Sequence, residues 1–207
     1  MADDLILYTN PMSRGRVARW MLEETGAPYR VEILDYATTM KAPAYLAINP
    51  MGKVPAIVHN GKVVTENAAI CTYLADAFPG AALAPPPAER ADYYRWLFFA
   101  AGPLEYAVTN NAFGMTPPAE RAAAVGYGSY KQALDTLEYA ITRMPFLTGD
   151  RFTAADLYVG SHLGFGMQFG TIEKRPAFEA YYAKVKDRPA ALRAAALDDA
   201  AMPTKPS

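Results

Sequence analysis

Cysteine is almost missing from this sequence: Cys71 stands alone among 207 residues. That scarcity removes several chemistries at once. No intramolecular disulfide can form, and no cysteine pair exists for a dithiol redox cycle or a thiolate metal cluster. With only two histidines, the distant His59 and His162, a zinc-type ligand set is excluded as well, and no metal is expected. Charge of one sign is also absent, since 20 Lys and Arg face 21 Asp and Glu for a net charge of −1. No basic footprint for nucleic acid or for an anionic membrane surface follows. No apolar run approaches the ~18 residues of a membrane span. The opening Met1-Ala2-Asp3-Asp4 is acidic and lacks the apolar core of a secretory signal. These absences together predict a cytoplasmic protein with no membrane or nucleic-acid partner.

Apolar residues are plentiful at 52%, against 20% charged, which suits a packed chain with one large or two small cores. Its organising stretch runs from Asn49 to Ile70. Asn60-Gly61 between two β-branched runs predicts a hairpin, because both positions of a type I′ turn need positive φ. Pro55 at the start of the first strand cannot donate to a ladder, so a Val54-Pro55 turn, with a cis bond plausible, precedes that strand and turns Val54's backbone outward. After the second strand, Glu66-Asn67 opens a helix whose first amides lack intrahelical partners and can bind a carboxylate. A free backbone edge, a helix start and a carboxylate thus converge, a set that suits a small zwitterionic peptide. Its ammonium would pair with Glu66, its carboxylate with the Asn67 helix end, and a peptide unit with Val54.

Read in order, Leu5 to Tyr8 is a strand, Thr9 to Met12 a turn, and the residues from Arg14 to Glu24 an amphipathic helix stopped by Gly26. Tyr29 to Leu34 alternates as a second strand, and Pro43 to Ile48 holds a short helix. Phe78-Pro79-Gly80 ends the third helix, and residues 81–88, with Pro85-Pro86-Pro87, read as a stiff linker. No strand pattern follows. Tyr93, Leu97, Ala100 and Leu104 form one helical stripe, with Gly102-Pro103 expected to kink it, and Tyr127, Tyr130, Leu134, Leu137 and Ile141 form another. Phe152-Thr153-Ala154-Ala155-Asp156-Leu157 combines a capping box with a hydrophobic staple and carries stability, not chemistry. Cys71 reads as a buried structural thiol, His59 as exposed beside the hairpin turn, and the tail from Asp198 as frayed.

The residues Asn49-Pro50-Met51-Gly52-Lys53-Val54-Pro55 and the pair Glu66-Asn67 resemble the glutathione site of the cytosolic glutathione S-transferases, in the bacterial, serine-type form, and the likeness extends over nearly the whole chain. Asn67 departs from the serine usual there. The resemblance implies an α/β plus all-α fold: a thioredoxin-like glutathione-binding domain over residues 1–80, the linker at 81–88, and an all-helical domain over 89–207. It implies glutathione as co-substrate, a homodimer, and conjugation of the glutathione thiolate to small apolar electrophiles. A glutathione-dependent disulfide reductase and a non-catalytic binding or assembly module are the alternatives. Ser13, at the start of the first helix, falls where serine-type members hold the thiolate. A plain helix cap is its bland role, and Tyr8, Thr9 and Asn10 are its rivals. A free thiol with pKa about 8.5 is only a few per cent ionised at neutral pH, so one hydrogen bond to the anion, worth roughly 1.5–3 kcal/mol, makes thiolate a major species. Lys41 and Lys53 fall where the family places contacts to the glycyl carboxylate. Asn110 and Phe113 are the implied contacts of the second substrate.

Overall fold

The computed structural model describes residues 4–203, and these divide into two compact units, one running to Leu83 and resuming at Arg188, the other spanning Ala84–Asp187.

The first unit begins with strand β1 (Leu5–Thr9), helix α1 (Gly15–Thr25) and strand β2 (Arg30–Ile33), a right-sized unit for a parallel crossover. Strand β1 pairs with β2 in parallel and with β3 (Ala56–His59) antiparallel, and β3 pairs with β4 (Lys62–Thr65) in the hairpin. The sheet order is β2-β1-β3-β4. Asn60 at φ 51° and Gly61 at φ 78° make the expected turn of left-handed residues. Leu5 and Leu7 point to the same face of β1 and are buried, as is Ile57 opposite Leu7. Helix α2 (Pro43–Leu46) starts on its proline, and α3 (Asn67–Ala77) follows β4 at once. This is the thioredoxin-like arrangement. Helix α9 (Pro189–Ala200), the last in sequence, packs against α1 within this unit.

Five apolar or small positions on α1, from Val17 to Leu22, are buried, and Gly26 ends the helix at φ 68°. Its polar side chains meet α9 and its cap residue Arg188 in four pairs: Arg16 with Asp199, Arg19 with Asp198, Glu24 with Arg188, and Glu23 with Arg193. Asp198 is fully buried and Arg19 nearly so. The expected fraying from Asp198 onward is therefore corrected as far as Ala200: the helix continues because its carboxylates have partners. Residues 204–207 lie outside the described residues.

The second unit is all helical. Helix α4 (Ala91–Phe99) runs through a widened π turn at Ala100–Leu104 into α5 (Glu105–Ala112). Pro103 has no N–H to give to the preceding turn and its ring crowds the carbonyl there, so the helix widens where a kink was expected. The stripe Tyr93, Leu97, Ala100 and Leu104 stays buried throughout. Helix α6 (Tyr130–Thr142) is capped by Ser129, whose hydroxyl accepts the Gln132 amide at 3.1 Å, so Tyr127 of the expected stripe stands ahead of the helix. Helix α7 (Ala154–Phe169) packs on α8 (Pro176–Lys186), and Gly160 and Gly164 make the approach possible. A Cβ on them would stand 2.7 Å from Val185 and 2.6 Å from the Tyr182 ring. Asp156, fully buried, receives the amide and hydroxyl of Thr153, the Leu147 amide and the Tyr181 hydroxyl.

No helix among the described residues is long and apolar enough to cross a membrane. His59, expected to be exposed, is buried instead: its Nδ1 lies 3.0 Å from the Tyr73 hydroxyl and its ring stacks on Phe78. The alternation of β3 turns it inward, and two aromatic neighbours on and after α3 cover it.

Candidate functional site

Ser13 lies in the turn between β1 and α1. Its hydroxyl donates to the Asn10 carbonyl at 2.7 Å and accepts the Gly15 amide at 2.9 Å. It thus satisfies one of the first amides of α1, and its single proton is already engaged. The Asn10 carbonyl also accepts Ser13's own amide at 2.9 Å, so it stays bonded when the hydroxyl turns away. Among the rivals, Tyr8 packs its ring 5.6 Å from Tyr45 against the cluster of Leu34, Met40 and Ala56. Asn10 is consumed by the turn, its amide donating to the Leu34 carbonyl and its oxygen accepting the Met12 amide. Thr9 is fully buried, and its hydroxyl fills the space beside Gly15, 1.9 Å from where a Cβ would stand. Ser13, like Tyr8, is half-buried.

The loop before β3 is pinned from several sides. Asn49 accepts the Met51 amide and donates to the Lys53 carbonyl at 2.9 Å, and the Tyr45 hydroxyl donates to that same carbonyl at 2.5 Å. The Val54-Pro55 bond is cis. Val54 stands outside the paired registers, which begin at Ala56, so its backbone is not taken by the strands. The Lys41 ammonium donates to the Gly52 carbonyl at 2.6 Å, which uses one of its three N–H groups and places it on this loop. Lys53 is exposed.

Glu66 is exposed and adopts φ 67°, an uncommon backbone for a residue with a Cβ, at the cap of α3. The Asn67 amide donates to the Arg14 carbonyl at 3.1 Å. One side chain thus ties the start of α3 to the start of α1, directly after Ser13, where a serine hydroxyl is too short to make the same span. Ser13, the Val54 loop and the Glu66-Asn67 corner are parts of the same unit. Sequence reading missed this tie and the Lys41 link. The signal for the first was the very departure from serine at Asn67.

Asn110 and Phe113 belong to the helical unit. The Asn110 amide donates to the Tyr127 hydroxyl at 2.9 Å, and Tyr127 lines an open cavity of about 380 Å³ with Phe99, Pro103, Val125, Gln132 and Thr136. Phe113, 74% exposed, is not among its lining residues. Cys71 is buried in α3, and loss of solvent pushes its thiol up to about 12, which keeps it protonated and unreactive. Among the described residues no group of three or more His, Cys, Asp or Glu stands close enough to hold a metal.

The family model described as glutathione S-transferase, N-terminal domain, matches residues 3–76. Glutathione S-transferase GST-4.5 of Xanthomonas campestris is 30% identical over 205 residues, covering 93% of this chain and 99% of that protein. Glutathione S-transferase 3 of maize (Zea mays) is 29% identical over 202 residues, covering 90% of each. Among solved structures, a glutathione transferase from Methylococcus capsulatus superposes with a TM-score of 0.77 at 30% identity, covering 95% of this chain and 99% of that one. A sphingomonad glutathione S-transferase solved with glutathione bound gives 0.76 at 30% identity, covering 94% and 98%.

Proposed function

This chain belongs to the glutathione S-transferase family, and we propose that it is a serine-type enzyme in which Ser13 steadies the thiolate of bound glutathione while that thiolate attacks a small apolar electrophile. Glutathione is the co-substrate. The observation that carries the reading is the Asn67 bridge to the Arg14 carbonyl, because it fixes the α3 corner beside Ser13. The two ends of an extended tripeptide can then be held at once. Glu66 takes the γ-glutamyl ammonium, the first amides of α3 at Asn67 take the neighbouring carboxylate, and Val54, aimed by Pro55, pairs with the peptide backbone. Lys41 and Lys53 face the glycyl end. Asn110 and Phe113 of the helical unit are the candidates for contact with the electrophile.

The chemistry is a displacement or addition in which sulfur supplies the electron pair, and the enzyme supplies proximity and a stabilised anion. A mechanism through an enzyme thiol is disfavoured by the burial of Cys71. Any disulfide reductase activity would run on glutathione's own sulfur. A cytoplasmic location and a homodimer complete the reading, the first supported by the lone, buried cysteine and the second by family membership.

Calorimetric titration with glutathione tests the site. Glu66 is exposed, so its bond to an ammonium is screened by water and is worth about 1 kcal/mol. Glu66→Ala is expected to weaken glutathione binding roughly fivefold, with Glu66→Gln intermediate. Unchanged affinity in a folded Glu66→Ala variant would remove this corner from the site.

A further inference from the structure

Two helix ends in the first unit carry charges of the wrong sign for their own dipoles. The first turn of α1 has no acidic residue and holds Arg16, and the last turn of α9 has no basic residue and holds Asp198 and Asp199. Anions are favoured at a helix N-terminus and cations at a C-terminus, so each placement is locally unfavourable. The side chains resolve the conflict by meeting. Arg16 Nη2 lies 2.6 Å from Asp199 Oδ1, and its Nε donates to the Pro11 carbonyl at 2.7 Å. Pro11 is two residues before Ser13, inside the turn whose Asn10 carbonyl holds the Ser13 hydroxyl. The fork of one guanidinium therefore spans from α9 to the turn that aims Ser13, a geometry that a point-like ammonium does not reproduce.

The geometry points to Arg16 as a positioning residue, anchored by Asp199, that holds the Pro11–Ser13 turn in register and so couples the last helix to thiolate stabilisation. The inference rests on the reading of Ser13 given above. As stability the pair is worth little, because Asp199 is 67% exposed at its side chain. Its effect is expected in orientation, where a small displacement of the hydroxyl weakens its bond to sulfur.

The test is the pH profile of kcat/KM with glutathione and an activated aryl chloride, run on Arg16→Met, Arg16→Lys, Asp199→Ala and Ser13→Ala beside the parent, with the glutathione Kd measured calorimetrically. Asp199→Ala separates holding from field by sign. If Asp199 acts only as a charge, losing an anion near the sulfur favours thiolate, so turnover near neutral pH holds steady or rises. If it anchors Arg16, the bound thiol's pKa rises and turnover falls, by about threefold, with recovery at alkaline pH and little change in Kd. Arg16→Met and Arg16→Lys are both expected to fall about threefold, since lysine keeps the charge and loses the fork. Parent-like profiles for Arg16→Lys or Asp199→Ala would overturn the positioning role while leaving Ser13 in place. A Ser13→Ala profile that superimposes on the parent's would overturn the Ser13 reading itself, and this inference with it.

Discussion

Asp156→Ala is expected to lower the stability of the folded chain by about 3–5 kcal/mol, beyond the ordinary worth of a helix cap at ~0.5–2 kcal/mol. The sequence alone shows a capping box, with Asp156 reaching back to Thr153. The structure adds two further donors, the Leu147 amide at 2.7 Å and the Tyr181 hydroxyl at 2.5 Å, to the amide and hydroxyl of Thr153. Removing the carboxylate strands donors on three buried residues, and each buried donor left unmade costs roughly 1–3 kcal/mol, not fully additively. Melting is expected to fall by roughly 6–20 °C for a chain of this size. The glutathione Kd of the folded fraction is expected to stay unchanged. A melting shift of a degree or two would mean that the network is dispensable. Burial also raises the carboxyl's pKa despite its donors. The folded state then binds more protons than the unfolded chain between the ordinary Asp value, about 3.9, and the raised one. Through that window this group's contribution to stability decreases as pH rises. Asp156→Asn, which cannot titrate, is expected to remove that component.

Ser13→Ala is expected to reduce kcat/KM roughly tenfold near neutral pH, recovering as pH rises. The hydroxyl rests on the Asn10 carbonyl at 2.7 Å, so facing a thiolate means giving up a neutral hydrogen bond, worth about 0.5–1.5 kcal/mol, for a charged one worth roughly 1.5–3. The net gain of about 1–1.5 kcal/mol corresponds to about one unit in the bound thiol's pKa. Because Asn10's carbonyl keeps the Ser13 amide, the exchange strands nothing. The sign is plain: losing the donor raises the thiol's pKa, less thiolate is present at neutrality, and the deficit closes above the raised pKa. Glutathione affinity is expected to stay near the parent value, since most contacts fall on Val54, Glu66 and the α3 end. Superimposed pH profiles would return Ser13 to the rank of a helix cap.

Local chemistry was legible in the sequence wherever a single turn or cap decides the backbone. Asn60-Gly61 predicted the hairpin because only residues tolerant of positive φ close it, Gly26 marked the end of α1, and Pro103 the defect between α4 and α5. The resemblance in the 49–67 stretch covered the candidate loop and corner. What the sequence hid was long-range pairing. Asp198 and Asp199 fell in a tail read as frayed, since no cation stands three or four positions from either on the same helix, yet their partners Arg19 and Arg16 are some 180 positions away. His59 misled for a similar reason, its cover coming from Tyr73 and Phe78 on a later element. The engagement of the Ser13 hydroxyl was equally invisible, because it depends on where the Asn10 carbonyl points.

The pairing of α1 with α9 also bears on how the protein is made. A ribosome delivers β1 to α3 first, then the whole helical unit, and only afterwards the residues from Arg188 onward. Until they emerge, Arg19, which is 5% exposed at its side chain in the finished protein, has no Asp198, and Glu24 has no Arg188. The nascent first unit therefore carries a guanidinium without its carboxylate on a surface destined for burial, and its closure waits for the residues from Arg188 onward. Cutting at Leu83 would leave the same gap permanently, because the unit that holds Ser13 is completed only by the residues from Arg188 onward.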